Sequence, residues 1–283
     1  MIFFSSYELL LIKRFLFSKK TDGFISIFSW FSVVGITIGV AAIIIVMAVM
    51  NGFREELTSR MLGINGHLNI YSPTEEITRK DFEIFIKNQS NDYVVPFSQS
   101  QALIISENSS RGVILRGYDN KFIKDNHFLN KKIIKGSIFL DRINDVVVGY
   151  ALANQLGLKI NDRIKIAIPK TDKTIFGQIP RFKTLKIVGI FNLGMFEYDS
   201  NFIFTHVEIA NKLLLIDYDN FSQLEIFTTN PDLIEDTQLW IDNIIKKNKL
   251  NLYTSSWKEN NATLINALKV EKNVMFLILT LII

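Results

Sequence analysis

From Gly23 to Phe53 the chain runs for 31 residues without a charged side chain. Its centre, SWFSVVGITIGVAAIIIVMAVM, exceeds the roughly 20 apolar residues that span a bilayer. Soluble core helices rarely run so long without a charge. A cleaved leader would carry an apolar stretch of only about 7–15 residues followed by a small-x-small site. Neither fits a run that ends in Val49-Met50-Asn51-Gly52 and passes straight into FREELTSRMLG. The run reads as an uncleaved transmembrane helix, with Trp30, Phe24, Phe28 and Phe31 as an aromatic belt at its first interface.

The flanks give an orientation. Lys13, Arg14, Lys19 and Lys20 precede the run, and Arg54 and Arg60 follow it. This bias places the N-terminus in the cytoplasm and everything after Phe53 on the far side. Residues 5–20, apolar with basic flanks but too short to span, read as an interfacial helix. At the other end, SSWKENNATLINALKVEKNVMFLILTLII passes from a charged amphipathic stretch into an apolar run that stops at Ile283. Ten residues cannot cross a bilayer, so the expectation is a chain cut within a second membrane helix.

The intervening stretch reads as a large water-exposed domain. Overall, 48% of residues are hydrophobic and mean hydropathy is +0.20, yet 21% are charged. A concentrated membrane part beside a solvated part accounts for all three figures. GHLNIYS alternates like a strand. SPTEE offers a capping box, with Ser72 as cap and Glu75 three residues on, for a helix carrying Ile77, Phe82, Phe85 and Ile86. DYVVPF, QALIIS and RGVILRG read as short strands, the last two joined as a hairpin across ENSS. In DVVVGYALANQLGLKINDRIKI, a strand enters a short helix at Gly149, Gly157 ends it, and Asn161-Asp162 turns into the next strand. FKTLKIVGIF, NFIFTH and FSQLEIFTT are further strands; VEIANKLLL and NPDLIEDTQLWIDNIIKK are helices. Strands interspersed with helices and hairpin-length loops predict an α+β domain.

Little in the chain points to catalysis. There is no cysteine, which excludes disulfides, thiolate chemistry and cysteine-ligated metals. His67, His127 and His206 have no metal-ligand spacing. No GxxxxGK[ST], GxSxG or HExxH occurs. The net charge of +4 comes without a basic, aromatic-interleaved module, so nucleic acid is not an expected partner. No enzyme activity and no cofactor is expected. Two features stand out. Gly35 and Gly39, in GITIG, would allow close approach of another helix. IPKTDKTIFGQIPRFK reads as a strand ending at Pro169, a polar loop with Phe176-Gly177 near its middle, and a new strand after Pro180. It is either a docking element or a plain hairpin loop, and the residues alone favour the plain loop.

Taken together these residues resemble the LolC/LolE family, the permease subunits of the lipoprotein-releasing ABC transporter. DGFISIFSWFSVVGITIGVAAIIIVMAVMNGFREELTSRMLG resembles that family's first membrane segment. VVVGYALANQLGLKINDRIKI resembles a periplasmic stretch shared with MacB-like permeases. FNLGMFEYDSNFIF and LKVEKNVMFLILTLI resemble its later landmarks. The resemblance implies a membrane protein with a large MacB-like α+β periplasmic domain inserted between transmembrane helices 1 and 2, here C-terminally truncated. The expected segments are 1–22 (interfacial), 23–53 (helix 1), 54–270 (periplasmic, with a stalk helix at each end) and 271–283 (start of helix 2).

The resemblance also implies a multi-pass protein of the bacterial inner membrane. Its partners would be a cytoplasmic ABC ATPase subunit, a second homologous or identical permease subunit, a periplasmic lipoprotein carrier and the lipoprotein cargo. Pro169, Phe176, Gly177, Pro180 and Lys183 match the family's carrier-docking loop. Ile43, Val46, Met47, Met50 and Asn51 offer an apolar, adaptable wall for lipid near the outer leaflet. Phe53, Leu57 and Met61 continue an i+4 stripe from Val49 across the membrane boundary, to pack on a second stalk at Leu264 and Leu268. A Glu56–Arg60 pair would add only about 0.3 kcal/mol, so packing must hold the stalk straight. Two other readings stand beside this one: a MacB-like exporter permease, and a bitopic membrane-anchored periplasmic binding or sensor protein.

Overall fold

The computed structural model describes residues 5–16, 23–74, 76–87, 93–106, 109–125, 130–174 and 177–282. Its contacts divide the chain into two compact units, Met1–Thr58 with Ala262–Ile283, and Ser59–Asn261.

The first unit is helical. Helix α1 spans Ser6–Leu16 and α2 spans Gly23–Leu62, 40 residues without a break. The stretch Ile27–Leu62 of α2 is long and apolar enough to cross a membrane, with 6% of its most apolar window buried. Ile27, Phe31, Ile36, Ile38, Ile44 and Ile45 are all more than half exposed. An exposed apolar surface of this extent marks an interaction face rather than a water-facing one. The last helix of the unit, Ala262–Ile282, carries the second apolar run.

The second unit contains ten strands: β1 (Leu68–Tyr71), β2 (Tyr93–Ile105), β3 (Ser110–Tyr118), β4 (Ile133–Gly136), β5 (Asp145–Gly149), β6 (Arg163–Thr174), β7 (Gly177–Phe191), β8 (Phe202–His206), β9 (Gln223–Phe227) and β10 (Tyr253–Ser256). Pairings β2–β3, β3–β8, β8–β5, β5–β7, β7–β6 and β6–β2 close a ring of six. Two of these pairs, β3–β8 and β5–β7, are parallel. Closure follows from period-2 patterning: Ala102 and Ile104, Val113 and Leu115, Val146 and Val148, Ile164 and Ile166, Leu185 and Ile187, and Ile203 all turn into one core. Strands β9, β1 and β10 extend the sheet from β2.

Among the described residues the α-helices of this unit are α3 (Arg79–Lys87), α4 (Asn120–Asp125), α5 (Tyr150–Leu156), α6 (Phe196–Asn201), α7 (Val207–Leu214), α8 (Ile234–Lys247) and α9 (Trp257–Asn260), which leaves α10 for Ala262–Ile282. Helix α7 closes the ring's core with Ile209, Ala210, Leu213 and Leu214. Gly157 ends α5 at φ 65° and Asn161 turns at φ 75°, as the spacing predicts.

Three expectations are corrected. Helix α3 starts later than SPTEE implies. Thr78 and Asp81 form its capping box, with Asp81 N–H donating to Thr78 Oγ1 at 3.2 Å and Thr78 N–H to Asp81 Oδ2 at 3.4 Å. Ile77 instead pairs with Phe221, so tertiary pairing holds Ser72 to Ile77 out of the helix. Glu75 lies outside the described residues. DYVVPF and QALIIS form one strand, because Pro96 meets only β9 and β3 pairing begins at Phe97. The expected loop from Pro169 to Pro180 is a two-stranded ribbon instead. Its ladder runs from Thr171 opposite Pro180 to Thr174 opposite Gly177, beyond an irregularity between Ile168 and Thr171.

Candidate functional site

The point where α2 meets the ten-stranded sheet concentrates the polar contacts. Helix α2 ends at Leu62 because GINGH breaks it. The Asn65 N–H and side-chain Nδ2 both return to the Met61 carbonyl, at 3.3 and 3.2 Å. Ile64, 2% exposed, then enters an aromatic cluster with Phe97, Tyr118, Phe122, Phe191 and Phe204. Such an anchor fixes where the chain turns from helix to strand.

Three further contacts hold this elbow. Arg60 Nη1 donates to the Gly194 carbonyl at 2.9 Å, and Asn65 Nδ2 to Tyr198 Oη at 2.7 Å. Both partners belong to the FNLGMFEYD segment. Asp199 organises that segment by accepting the Leu193 N–H at 2.8 Å and the Gly194 N–H at 3.1 Å. Burial pushes the Asp199 carboxyl up from its usual value, against these amide bonds. The third contact is a buried charge network beneath the elbow. Arg116 (7% exposed) lies 3.4 Å from Glu225 (0%), and Tyr118 Oη donates to Glu225 Oε2 at 3.0 Å. Arg116 also donates to Gln99 Oε1 at 2.5 Å and to the Ile64 carbonyl at 3.5 Å. Its guanidinium stacks over Phe97 and Phe202, 5.4 and 5.0 Å from their centroids.

Glu225 takes the Gly66 N–H as well. A Cβ on Gly66 would lie 2.6 Å from Glu225 Cβ, so only glycine allows this approach. Burial raises the Glu225 carboxyl from its ordinary 4.5 although Arg116 opposes it, and raises the Tyr118 phenol well above 10.0. A charge pair this deep stabilises only while both partners are present. It therefore ties the elbow to three strands at once.

The predicted residues are placed as follows. On α2, Gly39, Ile43, Met47, Met50, Arg54 and Leu57 form the covered or half-covered stripe, spaced three and four apart. Val46 and Asn51 are exposed. The stripe expected through Val49 and Phe53 is corrected: these are 63% and 53% exposed, because the helix turns Met50 and Arg54 to the covered side. Met61 is buried in the second unit. Ile265, Leu268, Glu271 and Met275 form the corresponding stripe on α10, with Leu264 exposed beside it. Arg54 Nη2 donates to the Leu268 carbonyl at 3.3 Å, linking the two stripes. A Cβ on Gly35 would meet nothing within 4 Å, so this chain itself packs nothing there. Phe176 lies outside the described residues. Pro169, Gly177 and Pro180 lie on the β6–β7 ribbon, and Lys183, half-buried, stands opposite Ile166.

The histidines have structural tasks. His67 Nδ1 accepts the Thr228 N–H at 3.0 Å, and His206 caps α7 by accepting the Glu208 N–H at 3.3 Å. His127 lies outside the described residues. Sequence reasoning missed Arg60, Asn65, Arg116, Tyr118, Asp199 and Glu225. The available signal was a charge within each of two apolar strands, GVILRGY and QLEIF, since a buried charge needs a partner, here found across the intervening β2.

The sequence profile of the MacB-like periplasmic core domain matches residues 29–241, well over half of the chain. The chain belongs to this family. Within the MacB-like family its similarity is to the lipoprotein-releasing transmembrane proteins, as the resemblance in the sequence implies. It is 29% identical to the lipoprotein-releasing system transmembrane protein LolC of Neisseria meningitidis over 95% of its own length and 65% of that protein's. It is 28% identical to LolC of Xylella fastidiosa over the same shares. LolE of Haemophilus influenzae, at 21% identity, covers 95% of this chain. The chain thus spans about two thirds of these relatives. Among solved structures it is similar to the periplasmic region of MacB from Actinobacillus actinomycetemcomitans, at 12% identity and a TM-score of 0.44, covering 70% of this chain and 92% of that one.

Proposed function

We propose that this chain is a permease subunit of a lipoprotein-releasing ABC transporter in the bacterial inner membrane. In this reading its N-terminus is cytoplasmic, its ten-stranded domain periplasmic, and ATP is hydrolysed by a separate subunit. A second permease subunit, a lipoprotein cargo and a soluble periplasmic carrier complete the system. The observation that carries the reading is the unbroken helix Gly23–Leu62, whose final turn and elbow are bolted to the domain through Arg60, Ile64, Asn65 and Gly66. A flexible linker would serve an anchored sensor equally well. A stiff, bolted helix is useful where movement of the membrane part must reach the domain.

Each predicted site then has a task. Val46 and Asn51, the exposed members of the predicted lipid wall, face lipid chains near the outer leaflet, and Ile43, Met47 and Met50 pack on the covered side behind them. Gly35, open on this chain, packs on another subunit's helix, while Gly39 lies on the stripe this chain covers itself. The ribbon from Pro169 to Pro180, with Lys183 at its base, engages the carrier, and the sequence assigns Phe176 to the same docking element. Arg54 ties the two stalks at Leu268. The test is a Gly-Gly insertion after Phe53 in the complex reconstituted with its ATPase. The expected result is normal insertion and ATP hydrolysis with loss of lipoprotein release. Unchanged release refutes the coupling. The profile match also favours a MacB-like exporter. Transfer of acylated protein to a soluble carrier separates the two readings, because an exporter makes no such transfer.

A further inference from the structure

The outer face of the six-stranded ring carries an open apolar groove of about 630 Å³. Its floor is one row crossing four strands. Phe182 on β7 stands opposite Ala167 on β6, Ala167 opposite Leu103 on β2, and Leu103 opposite Gly112 on β3. Ile105 and Ile114 flank the row. Phe182 is 45% exposed and Leu103 39%, so the groove opens to solvent. Among the described residues, Gln101 and Asn201 are its polar lining and no acidic side chain lines it. Lys165 Nζ sits 4.4 Å from the Phe182 ring centroid, which sets a cation at one end of an apolar row.

The shape and chemistry select the occupant. Leu103 and Ala167, at the centre, are strand-paired on both sides. The floor therefore offers no free backbone groups to an added peptide strand, whose own amides would go unpaired there. An alkyl chain has no such groups to satisfy. Three inter-strand steps of about 4.8 Å give a row of roughly 14 Å, the reach of about a dozen methylenes. The volume lies within the roughly 300–1,000 Å³ of small-molecule sites. The cation at the Phe182 end complements ester or carboxylate oxygens at the head of such a chain.

We infer that this groove binds a single acyl chain of a lipid-anchored protein, as a holding site at the base of the β6–β7 ribbon. The inference rests on the permease reading for the identity of the cargo and on the groove alone for the acyl chain. The test uses the full chain in lipid nanodiscs and a synthetic N-acylated peptide with a photoreactive diazirine near the methyl end of its chain. Photolysis is expected to label the segments around Leu103 and Ala167. Leu103→Glu is expected to reduce this labelling at least tenfold. Gly112→Leu fills the floor without adding charge, at a position where a Cβ meets nothing within 4 Å, and is expected to do the same.

Labelling confined to α2, or labelling unchanged in both variants, overturns the inference. So does equal labelling by a diazirine fatty acid without the peptide, which assigns the groove to free lipid. Labelling needs no ATPase. Its loss with ATP-driven lipoprotein release intact overturns the groove alone, and labelling without any such release overturns the permease reading alone.

Discussion

Replacing Arg116 by methionine removes the cation while keeping most of the stem's volume beside Phe97 and Phe202. Glu225 is then left fully buried, with the Tyr118 hydroxyl and the Gly66 amide as its remaining partners. The carboxylate can escape by taking a proton, and that route caps the electrostatic loss. From an ordinary value of 4.5, holding the proton at pH 7 costs at most about 3.4 kcal/mol at 1.36 kcal/mol per unit, and at pH 5 about 0.7 kcal/mol. Hydrogen bonds lost at Gln99 and the Ile64 carbonyl add about 1–1.5 kcal/mol. The destabilisation is therefore expected to reach at most about 4–5 kcal/mol at pH 7, within the range for breaking a buried pair, and at most about 2 kcal/mol at pH 5, because native Glu225 is itself raised. Adding Glu225→Gln keeps an acceptor for Tyr118 and Gly66 without the charge. The double variant should lose only about 1–2 kcal/mol, equally at both pH values. Urea unfolding of the detergent-solubilised chain, read from Trp240 and Trp257 fluorescence, measures this. Equal losses at pH 5 and pH 7 for the single variant, or a double variant no more stable than the single, would refute the argument.

Three further expectations follow from the same region and from the ribbon. Gly66→Ala drives a methyl against Glu225 Cβ, with 2.6 Å available, and should cost about 1–3 kcal/mol in the same unfolding assay; a neutral result shows that the elbow can shift. In the native chain the folded state holds the Glu225 proton above the unfolded value of 4.5, so stability should fall as pH rises from 4.5 toward the folded-state value. Glu225→Gln should remove that share of the slope and leave the Asp199 share, which begins near 3.8. Phe176→Glu with Lys183→Glu should weaken binding of a purified periplasmic carrier at least tenfold by interferometry, and intact binding shows that the ribbon is not the docking element.

Much of this was legible along the chain because it depends on local chemistry. The long apolar helix follows from an uninterrupted uncharged run, and its continuation to Leu62 from the lack of any proline before Pro73. The β5–α5–β6 stretch follows from Gly149, Gly157 and Asn161, whose turns need little beyond their own backbone freedom. The SPTEE cap failed because Ile77 found a bridge to Phe221, far away in sequence, and the capping chemistry moved to Thr78 and Asp81. The expected Pro169–Pro180 loop failed because a β-ladder can continue past a proline through a bulge, which composition does not report.

The sequence by itself determined that part of this chain is a long uncharged apolar helix, that the remainder is an α+β domain, and that no cysteine chemistry is available. These are properties of single segments and of the whole composition. Only the tertiary structure decided which charges are buried, which face of α2 is covered and where the apolar groove opens. Arg116 and Glu225 are separated by more than a hundred residues, and nothing in either strand names the other. Long-range register pairs them, and the desolvation of both makes that pairing matter. The same holds for the row from Phe182 to Gly112. Four unremarkable strand residues become one apolar track because the ring of β-strands closes between β2 and β6.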